Sequence, residues 1–155
     1  MNEPQIRQYL APLLPLAAQW MRETAAFYQT EGRSLNVAEI PIAEAAGVEK
    51  PQEVRLALVK QMPAPSHAAL QSAMSRSGFW TQNAAGLTLG PVILIREGHF
   101  SRALLAHELV HVAQFERLGI EGFLQGYFEQ VLGVGYEHAP MELEARKLEN
   151  QFRAL

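Results

Sequence analysis

The sequence contains neither cysteine nor aspartate. Without cysteine the chain can form no disulfide bond, no thiolate nucleophile and no cysteine-ligated metal site. All 16 acidic residues are glutamates, so any carboxylate that binds a ligand must come from glutamate. The chain also lacks an apolar run of about 18 residues, the length that a membrane-spanning helix requires. We therefore expect no membrane partner.

Positive charge is sparse as well. The 13 lysines and arginines are scattered and outnumbered by the acidic residues, which gives a formal net charge of −3. Nucleic-acid binding relies on clustered basic side chains that neutralise phosphates, so we expect no nucleic-acid partner. An apolar stretch over residues 9–18 is similar to the core of a signal peptide, but Pro12 and Pro15 interrupt it and Glu3 precedes it. We therefore expect a cytoplasmic protein.

The chain has the length of one domain. Its 155 residues, 48% of them hydrophobic and 19% charged, are typical of a globular chain that buries a core. No repeat, low-complexity tract or linker divides the sequence. We predict a single domain over residues 1–155, in which a mainly helical N-terminal part with one strand, residues 1–80, precedes a core formed by residues 86–155.

Hydrophobic periodicity predicts helices and short strands. Residues 16–30 carry apolar side chains at helical spacing, and residues 54–58 alternate as in a strand. Two more short strands meet at Gly90 and Pro91, and the second, over residues 92–95, is apolar on both faces. We predict an α+β fold with helices around a small antiparallel sheet. The apolar strand could lie at a sheet edge and hold an extended peptide.

The most informative segment is a predicted helix over residues 102–118. Ser101 can cap its first turn, and Gly119 stands where a helix commonly ends. Within it the stretch ALLAHELVHVA has only three polar residues, which are His107, Glu108 and His111. A helix that is apolar nearly all round is usually buried. Burying imidazole or carboxylate groups costs several kcal/mol unless they are paired or bound to a metal.

These three residues form an HExxH pattern, which is typical of zinc sites. Four residues advance a helix by about 400°, so His107 and His111 lie on one face, where both imidazoles can bind one tetrahedral ion. Glu108 points about 100° away from His107 and can take a proton from a metal-bound water without binding the metal. In the alternative interpretation the helix holds no metal, the imidazoles bond to buried carbonyls and Glu108 pairs with an arginine.

The segment HELVHVAQFERLG resembles the active-site helix of the zincin metallopeptidases. The metzincin branch is excluded, because Gln114 and Arg117 occupy the places of its glycine and third histidine. The later segment PMELEA, residues 140–145, resembles the element from which the gluzincin branch supplies a glutamate ligand. Together the motifs also resemble small bacterial metallopeptidase domains of unassigned function. The resemblance implies zinc as the cofactor and an active-site helix followed by a glutamate-bearing C-terminal helix.

The resemblance assigns the third zinc ligand to Glu142. In gluzincins this glutamate is often followed four residues later by aspartate, whereas here the fourth residue is Arg146. Arg146 could pair with a nearby carboxylate, but the aspartate by which the family usually tunes its histidine ligand is missing. Glu144 is the alternative ligand, although it points about 200° away from Glu142 on the same helix. His138, in the preceding loop, is a rival third ligand.

The loop before this helix contains Tyr136 and His138, and either could donate a hydrogen bond to the oxyanion of a tetrahedral intermediate. They could equally be a packing tyrosine and a solvated histidine. We predict a zinc-dependent metallopeptidase that hydrolyses peptide or protein substrates through a zinc-bound water activated by Glu108. The alternative function is a zinc-binding regulatory or interaction module, with a gluzincin scaffold and little or no peptidase activity. Neither prediction fixes the oligomeric state.

Overall fold

The computed structural model describes residues 1–77 and 84–154. Within these ranges the chain forms six α-helices, four strands and two short 3-10 helices, which confirms the predicted α+β class. The α-helices are α1 (Glu3–Leu10), α2 (Leu14–Glu31), α3 (Ile40–Ala45), α4 (Ala68–Ser77), α5 (Arg102–Val134) and α6 (Pro140–Arg153). The strands are β1 (Arg33–Ser34), β2 (Arg55–Val59), β3 (Gly86–Leu89) and β4 (Val92–Arg96), and the 3-10 helices are Pro51–Glu53 and Tyr136–His138. The predicted division between residues 80 and 86 falls mostly outside the described residues.

The four strands form one mixed sheet in the order β1-β2-β4-β3. β3 and β4 form the predicted antiparallel hairpin, which turns at Gly90, where φ is 66°. β4 also pairs with β2 in parallel, with Arg55 opposite Val92. The prediction of a purely antiparallel sheet is therefore wrong. Parallel neighbours need a connection of a dozen or more residues, and the chain from β2 through α4 to the hairpin supplies it.

β4 lies inside the sheet, between β2 and β3, so residues 92–95 do not offer the free edge on which the suggested peptide binding depended. All four of these residues are fully buried, and their side chains alternate between the two faces. Leu94 belongs to the apolar cluster that contains Met21 of α2, whereas Ile93 and Ile95 belong to the cluster that contains α3 and the start of α5. An apolar run covered on both faces is typical of an interior strand, and β3 is left at the edge.

α5 consists of two helical segments joined at Gly119. Gly119 has φ 73° and ψ 171°, a conformation that favours glycine, so the predicted helix end at this residue is confirmed. Ser101 caps the first segment by accepting a hydrogen bond from the Leu104 amide at 3.0 Å. Residues 120–134 form the second segment, and α6 packs along α5. This packing brings the first turn of α6 against the polar residues of the first segment.

The N-terminal apolar stretch is divided between α1 and α2, because the chain turns over residues 11–13. Asn2 and Gln5 cap α1 reciprocally: each side-chain oxygen accepts from the other residue's amide, at 3.0 and 2.8 Å. This first helix was not among the predicted elements. In the described part of the chain no helix is both long and apolar enough to cross a membrane.

Candidate metal centre

Three buried side chains converge where α6 begins against α5. His107 and His111 extend from α5 and Glu142 from the first turn of α6, and they expose only 7%, 4% and 1% of their surfaces. One nitrogen or oxygen atom of each lies within 4.8 Å of the other two. The Nε2 atom of His107 is 3.1 Å from Oε1 of Glu142, and Nε2 of His111 is 2.9 Å from Oε2. This spacing of donor atoms suits a single cation.

The outer nitrogens of both imidazoles face oxygen acceptors. Nδ1 of His107 is 2.7 Å from Oε1 of Glu149, and Nδ1 of His111 is 2.7 Å from Oε1 of Gln114. The orientation of the Gln114 amide follows from its nitrogen, which donates to the backbone carbonyl of Met141 at 3.0 Å. A carboxylate and an amide oxygen can only accept, so each Nδ1 carries the hydrogen. In a neutral imidazole the inner nitrogen, Nε2, then carries a lone pair and no hydrogen.

The space between the two Nε2 atoms and the Glu142 carboxylate favours positive charge. The two Nε2 atoms face a carboxylate, and among the described residues Oε1 of Glu142 is buried with no hydrogen-bond partner, since His107 at 3.1 Å lacks the alignment of a hydrogen bond. Burial lowers the pKa of His107, but the Glu142 and Glu108 carboxylates outweigh it and raise that pKa to about 9. Burial opposes ionisation of Glu142, yet the two histidines hold its pKa well below the usual range. The group therefore fits either protons or a divalent metal ion.

Tyr127 fixes the orientation of Glu142. Its hydroxyl donates to Oε2 of Glu142 at 2.7 Å, and the side chain is fully buried. Burial, together with the charge of Glu142, raises the pKa of Tyr127 far above its usual value, so the hydroxyl remains a donor. Its ring lies edge-on to His111, with centroids 6.0 Å apart, and stacks on Phe123. The aromatic residues after Gly119 thus form an apolar wall that strengthens the polar contacts beside it.

Glu108 lies beside the three converging side chains without joining them. Its Oε2 atom is 4.0 Å from Nε2 of His107, beyond hydrogen-bond distance. Its Oε1 atom accepts a hydrogen bond from the hydroxyl of Thr88 on β3 at 2.9 Å. A Cβ atom at Gly86, also on β3, would lie 2.9 Å from Oε2 of Glu108, so a larger residue there would displace the carboxylate from this position. Glu108 is therefore held between the histidines and the edge strand of the sheet.

Two further side chains of α6 share the face of Glu142. Arg146, at the position where the gluzincin pattern has aspartate, places Nη1 3.9 Å from Oε1 of Glu142. Glu149 follows Glu142 by seven residues, which is about 20° round the helix, and bonds to Nδ1 of His107 while its other oxygen pairs with Arg153. Glu149, two turns after Glu142, thus orients His107. In the gluzincin pattern an aspartate at the position of Arg146, one turn after Glu142, would have this role.

The remaining predicted site residues differ in position. Tyr136 is half-buried in the 3-10 helix before α6, where burial and the charge of Glu142 raise its pKa well above the usual value. His138 is exposed on the same 3-10 helix, and within the described ranges it does not belong to the converging group. Glu144 is also exposed, and one of its oxygens accepts from the Gln114 amide at 3.3 Å. Both rival ligands therefore lie away from the inner side of the group.

Four contributors to the site were missed at the level of sequence. Two of them had a signal in their helical spacing, because Gln114 follows His111 by three residues and Glu149 follows Glu142 by seven. The other two are Thr88, which lies on β3, and Tyr127, which lies on α5 beyond the break at Gly119. Their contacts depend on the packing of the whole domain, so no local pattern indicates them.

Comparison with protein-family models finds no match for this chain, and comparisons with curated proteins and with solved structures find none either. The resemblance to gluzincins therefore depends on the residues themselves, which are the HELVH segment of α5 and the glutamate of PMELEA at the start of α6.

Proposed function

We propose that this chain is a zinc-dependent metallopeptidase in which His107, His111 and Glu142 bind the ion and Glu108 is the catalytic base. The observation that carries the proposal is the orientation of the imidazoles. Each has an oxygen acceptor at its outer Nδ1 atom, so both inner Nε2 atoms point at a buried carboxylate. One oxygen of that carboxylate has no hydrogen-bond partner in the described part of the chain.

The donor set favours zinc over magnesium and calcium. Magnesium and calcium prefer all-oxygen ligands, whereas two imidazoles and a glutamate are a ligand set of catalytic zinc sites and leave a fourth position open. When bound, zinc supplies a Lewis acid that polarises a carbonyl and lowers the pKa of a coordinated water. The outer partners Glu149 and Gln114 hold both imidazoles ready for such an ion.

Glu108 is the proposed general base. The Thr88 hydroxyl occupies Oε1, which leaves Oε2 on the side of His107. From there Glu108 accepts a proton from the attacking water and passes it to the leaving amine. The reaction consumes one water: its oxygen bonds to the acyl carbon, the C–N bond breaks, one hydrogen reaches the amine and the other stays with the new carboxyl group.

Tyr136 is the proposed donor to the oxyanion. Its raised pKa keeps the hydroxyl protonated at neutral pH, and the 3-10 helix places it beside Glu142. A single pre-positioned donor of this kind typically contributes about 10²–10³-fold to kcat. His138, which was the other predicted donor, is exposed and has no part in the proposal.

The edge strand β3 is the proposed place for the substrate. An extended peptide can add to a sheet edge through backbone hydrogen bonds. β3 lies at the edge of the sheet, and its residues Gly86 and Thr88 contact Glu108. A peptide alongside β3 therefore presents its carbonyl groups next to the base, a place that β4 cannot offer from the sheet interior.

A second candidate function is a zinc-binding regulatory or interaction module. The burial of the group favours it, since Glu108 exposes only 5% of its surface and Glu142 1%. A surface cavity of about 630 Å³ is lined by residues of α2 and β2 instead. The two functions share the metal and differ in whether Glu108 takes part in turnover.

Metal analysis and one substitution test the proposal. Protein purified without chelator or a metal-affinity tag should contain about one zinc per chain. Glu108→Gln should keep that zinc and its melting temperature, because the residue is not a ligand, while peptide hydrolysis falls by ~10²-fold or more. Glu97→Gln, which changes an exposed glutamate after β4, is the matched control and should leave hydrolysis unchanged.

The possible results separate the two functions. A native preparation without zinc, which also takes up none from solution, would overturn both of them. Stoichiometric zinc with no hydrolysis of a broad peptide mixture would support the module instead. Hydrolysis that survives Glu108→Gln would show that another group is the base or that the activity belongs to a contaminant.

A further inference from the structure

Arg146 extends from the buried group towards the protein surface. It lies one helical turn after Glu142 on α6, with Nη1 3.9 Å from Oε1 of Glu142. Its side chain is 27% exposed, whereas that of Glu142 is 2% exposed. The guanidinium is therefore next to the proposed zinc ligands and still accessible to a ligand from solvent.

The guanidinium is also held in place. One of its nitrogens donates to the backbone carbonyl of Glu137, and its Cζ atom lies over the ring of Tyr136, 5.7 Å from the ring centroid. Arginine has five N–H donors in a rigid planar fork that matches a carboxylate. Because the side chain is already ordered, less entropy is lost when a carboxylate binds to it.

The charges around the site leave the guanidinium in excess. Among the described residues Arg146 makes its one ion pair with Glu142, at a distance longer than a hydrogen bond, and two histidines share that carboxylate. With two neutral imidazoles, the charges of Glu142 and Glu108 balance a divalent ion, and the charge of Glu149 is paired with that of Arg153. Arg146 then contributes a surplus positive charge, which favours an anionic ligand.

We propose that Arg146 binds the C-terminal carboxylate of the substrate, so that the chain is a carboxypeptidase which releases the last residue of a peptide. The inference rests on the proposed function and adds its substrate class. An extended chain advances about 3.5 Å per residue, so a group 3.9 Å from a ligand oxygen is within reach of a carboxylate one residue beyond the cleaved bond. Water adds to the acyl carbon of the last peptide bond, the C–N bond breaks, and the amine product is a free amino acid.

Binding measurements without turnover test the inference. The protein used is the zinc-loaded Glu108→Gln variant. One probe is an N-acetylated tetrapeptide of alanine and leucine with a free C-terminal carboxylate, and the other is the same peptide with a C-terminal amide. Calorimetry should show at least tenfold tighter binding of the carboxylate form, because a charge-assisted two-pronged contact contributes more than a neutral one. Adding Arg146→Gln should abolish that preference. Adding Lys147→Gln, which removes an exposed positive charge at the next position, should preserve it.

Arg146→Lys keeps the charge but not the planar fork, and it should weaken the preference without abolishing it. Zinc content and melting temperature of each variant show that it is folded. Equal binding of the acid and the amide, binding of neither, or a preference that survives Arg146→Gln would overturn the inference. Wild-type protein that cleaves amidated peptides as fast as free acids would also overturn it and leave the metallopeptidase proposal standing, whereas failure to bind zinc would refute that proposal itself.

Discussion

Replacing Glu142 by alanine removes the carboxylate on which both inner imidazole nitrogens converge, at 3.1 and 2.9 Å. The outer partners Glu149 and Gln114 stay in place, so the histidines keep their orientation. The proposed metal site then lacks only its third ligand. The change therefore measures the contribution of α6 to metal binding separately from the geometry of α5.

The expected loss follows from the ligand count. Four-ligand structural zinc sites bind with about 10–16 kcal/mol, so one ligand accounts for about 2.5–4 kcal/mol. Glu142→Ala should accordingly weaken zinc binding by ~10²–10³-fold. The metal-free protein should also lose about 3–5 kcal/mol of stability, because the change removes one partner of a buried ion pair.

Competition with a chromophoric chelator measures the affinity, and Glu144→Ala is the matched control. Glu144 is two residues away on the same helix, and its pair with Arg117 has side chains that are 48% and 54% exposed. Such surface pairs contribute about 0–1 kcal/mol, so we expect zinc affinity close to that of the wild type.

Two results would refute the assignment. Equal affinity of Glu142→Ala and wild type would mean that α6 supplies no ligand, and His138→Ala would then be the next variant to test. A larger loss in Glu144→Ala than in Glu142→Ala would mean that the glutamates of α6 face the metal in a different register from the one described.

Three further predictions concern the surroundings of the ligands. Glu149→Gln keeps an acceptor for Nδ1 of His107 but removes the carboxylate charge, so zinc binding measured by chelator competition should weaken about 10–100-fold. Unchanged affinity would show that Glu149 does not contribute to the site. Gly86→Ala should displace the Glu108 carboxylate, because the new Cβ would lie 2.9 Å from it, and so reduce hydrolysis while elemental analysis finds the zinc retained; full activity would contradict the close contact. In the metal-free protein the pKa of His107 is raised from 6.5 to about 9, so its stabilising effect is fully present below the unfolded value and is lost as pH rises through about 9. Urea midpoints of chelator-treated protein should fall over that range, and a flat profile would contradict the pairing with Glu142.

The helix that carries His107 and His111 was predictable because its signals are local. Ser101 and Gly119 mark the ends of the first segment, and the spacing of His107 and His111 places them on one face whatever the rest of the chain does. Glu142 was different, because it was nominated only through a resemblance. Its approach to the histidines depends on the packing of α6 along α5, which no spacing within either helix specifies.

The sheet shows the same limit. The hairpin around Gly90 has a local turn signal and was predicted, whereas the parallel pairing of β4 with β2 joins residues such as Arg55 and Val92 across a long connection. The burial of residues 92–95 on both faces was visible as an unbroken apolar run. That run indicates an interior strand more strongly than an edge, so the peptide binding that depended on an edge position was not favoured by the sequence.

The separation of the proposed ligands along the chain has a mechanical consequence. Residues 107 and 142 enclose a loop of about 35 residues, which includes the break at Gly119 and the turn into α6. An ion that joins them acts as a cross-link, and the chain-entropy relation for a loop of this length gives about 4 kcal/mol. The same ion would thus clamp the last helix of the domain to its centre. A chain that had lost Glu108 and all turnover would still need its two histidines and Glu142 to keep that clamp closed.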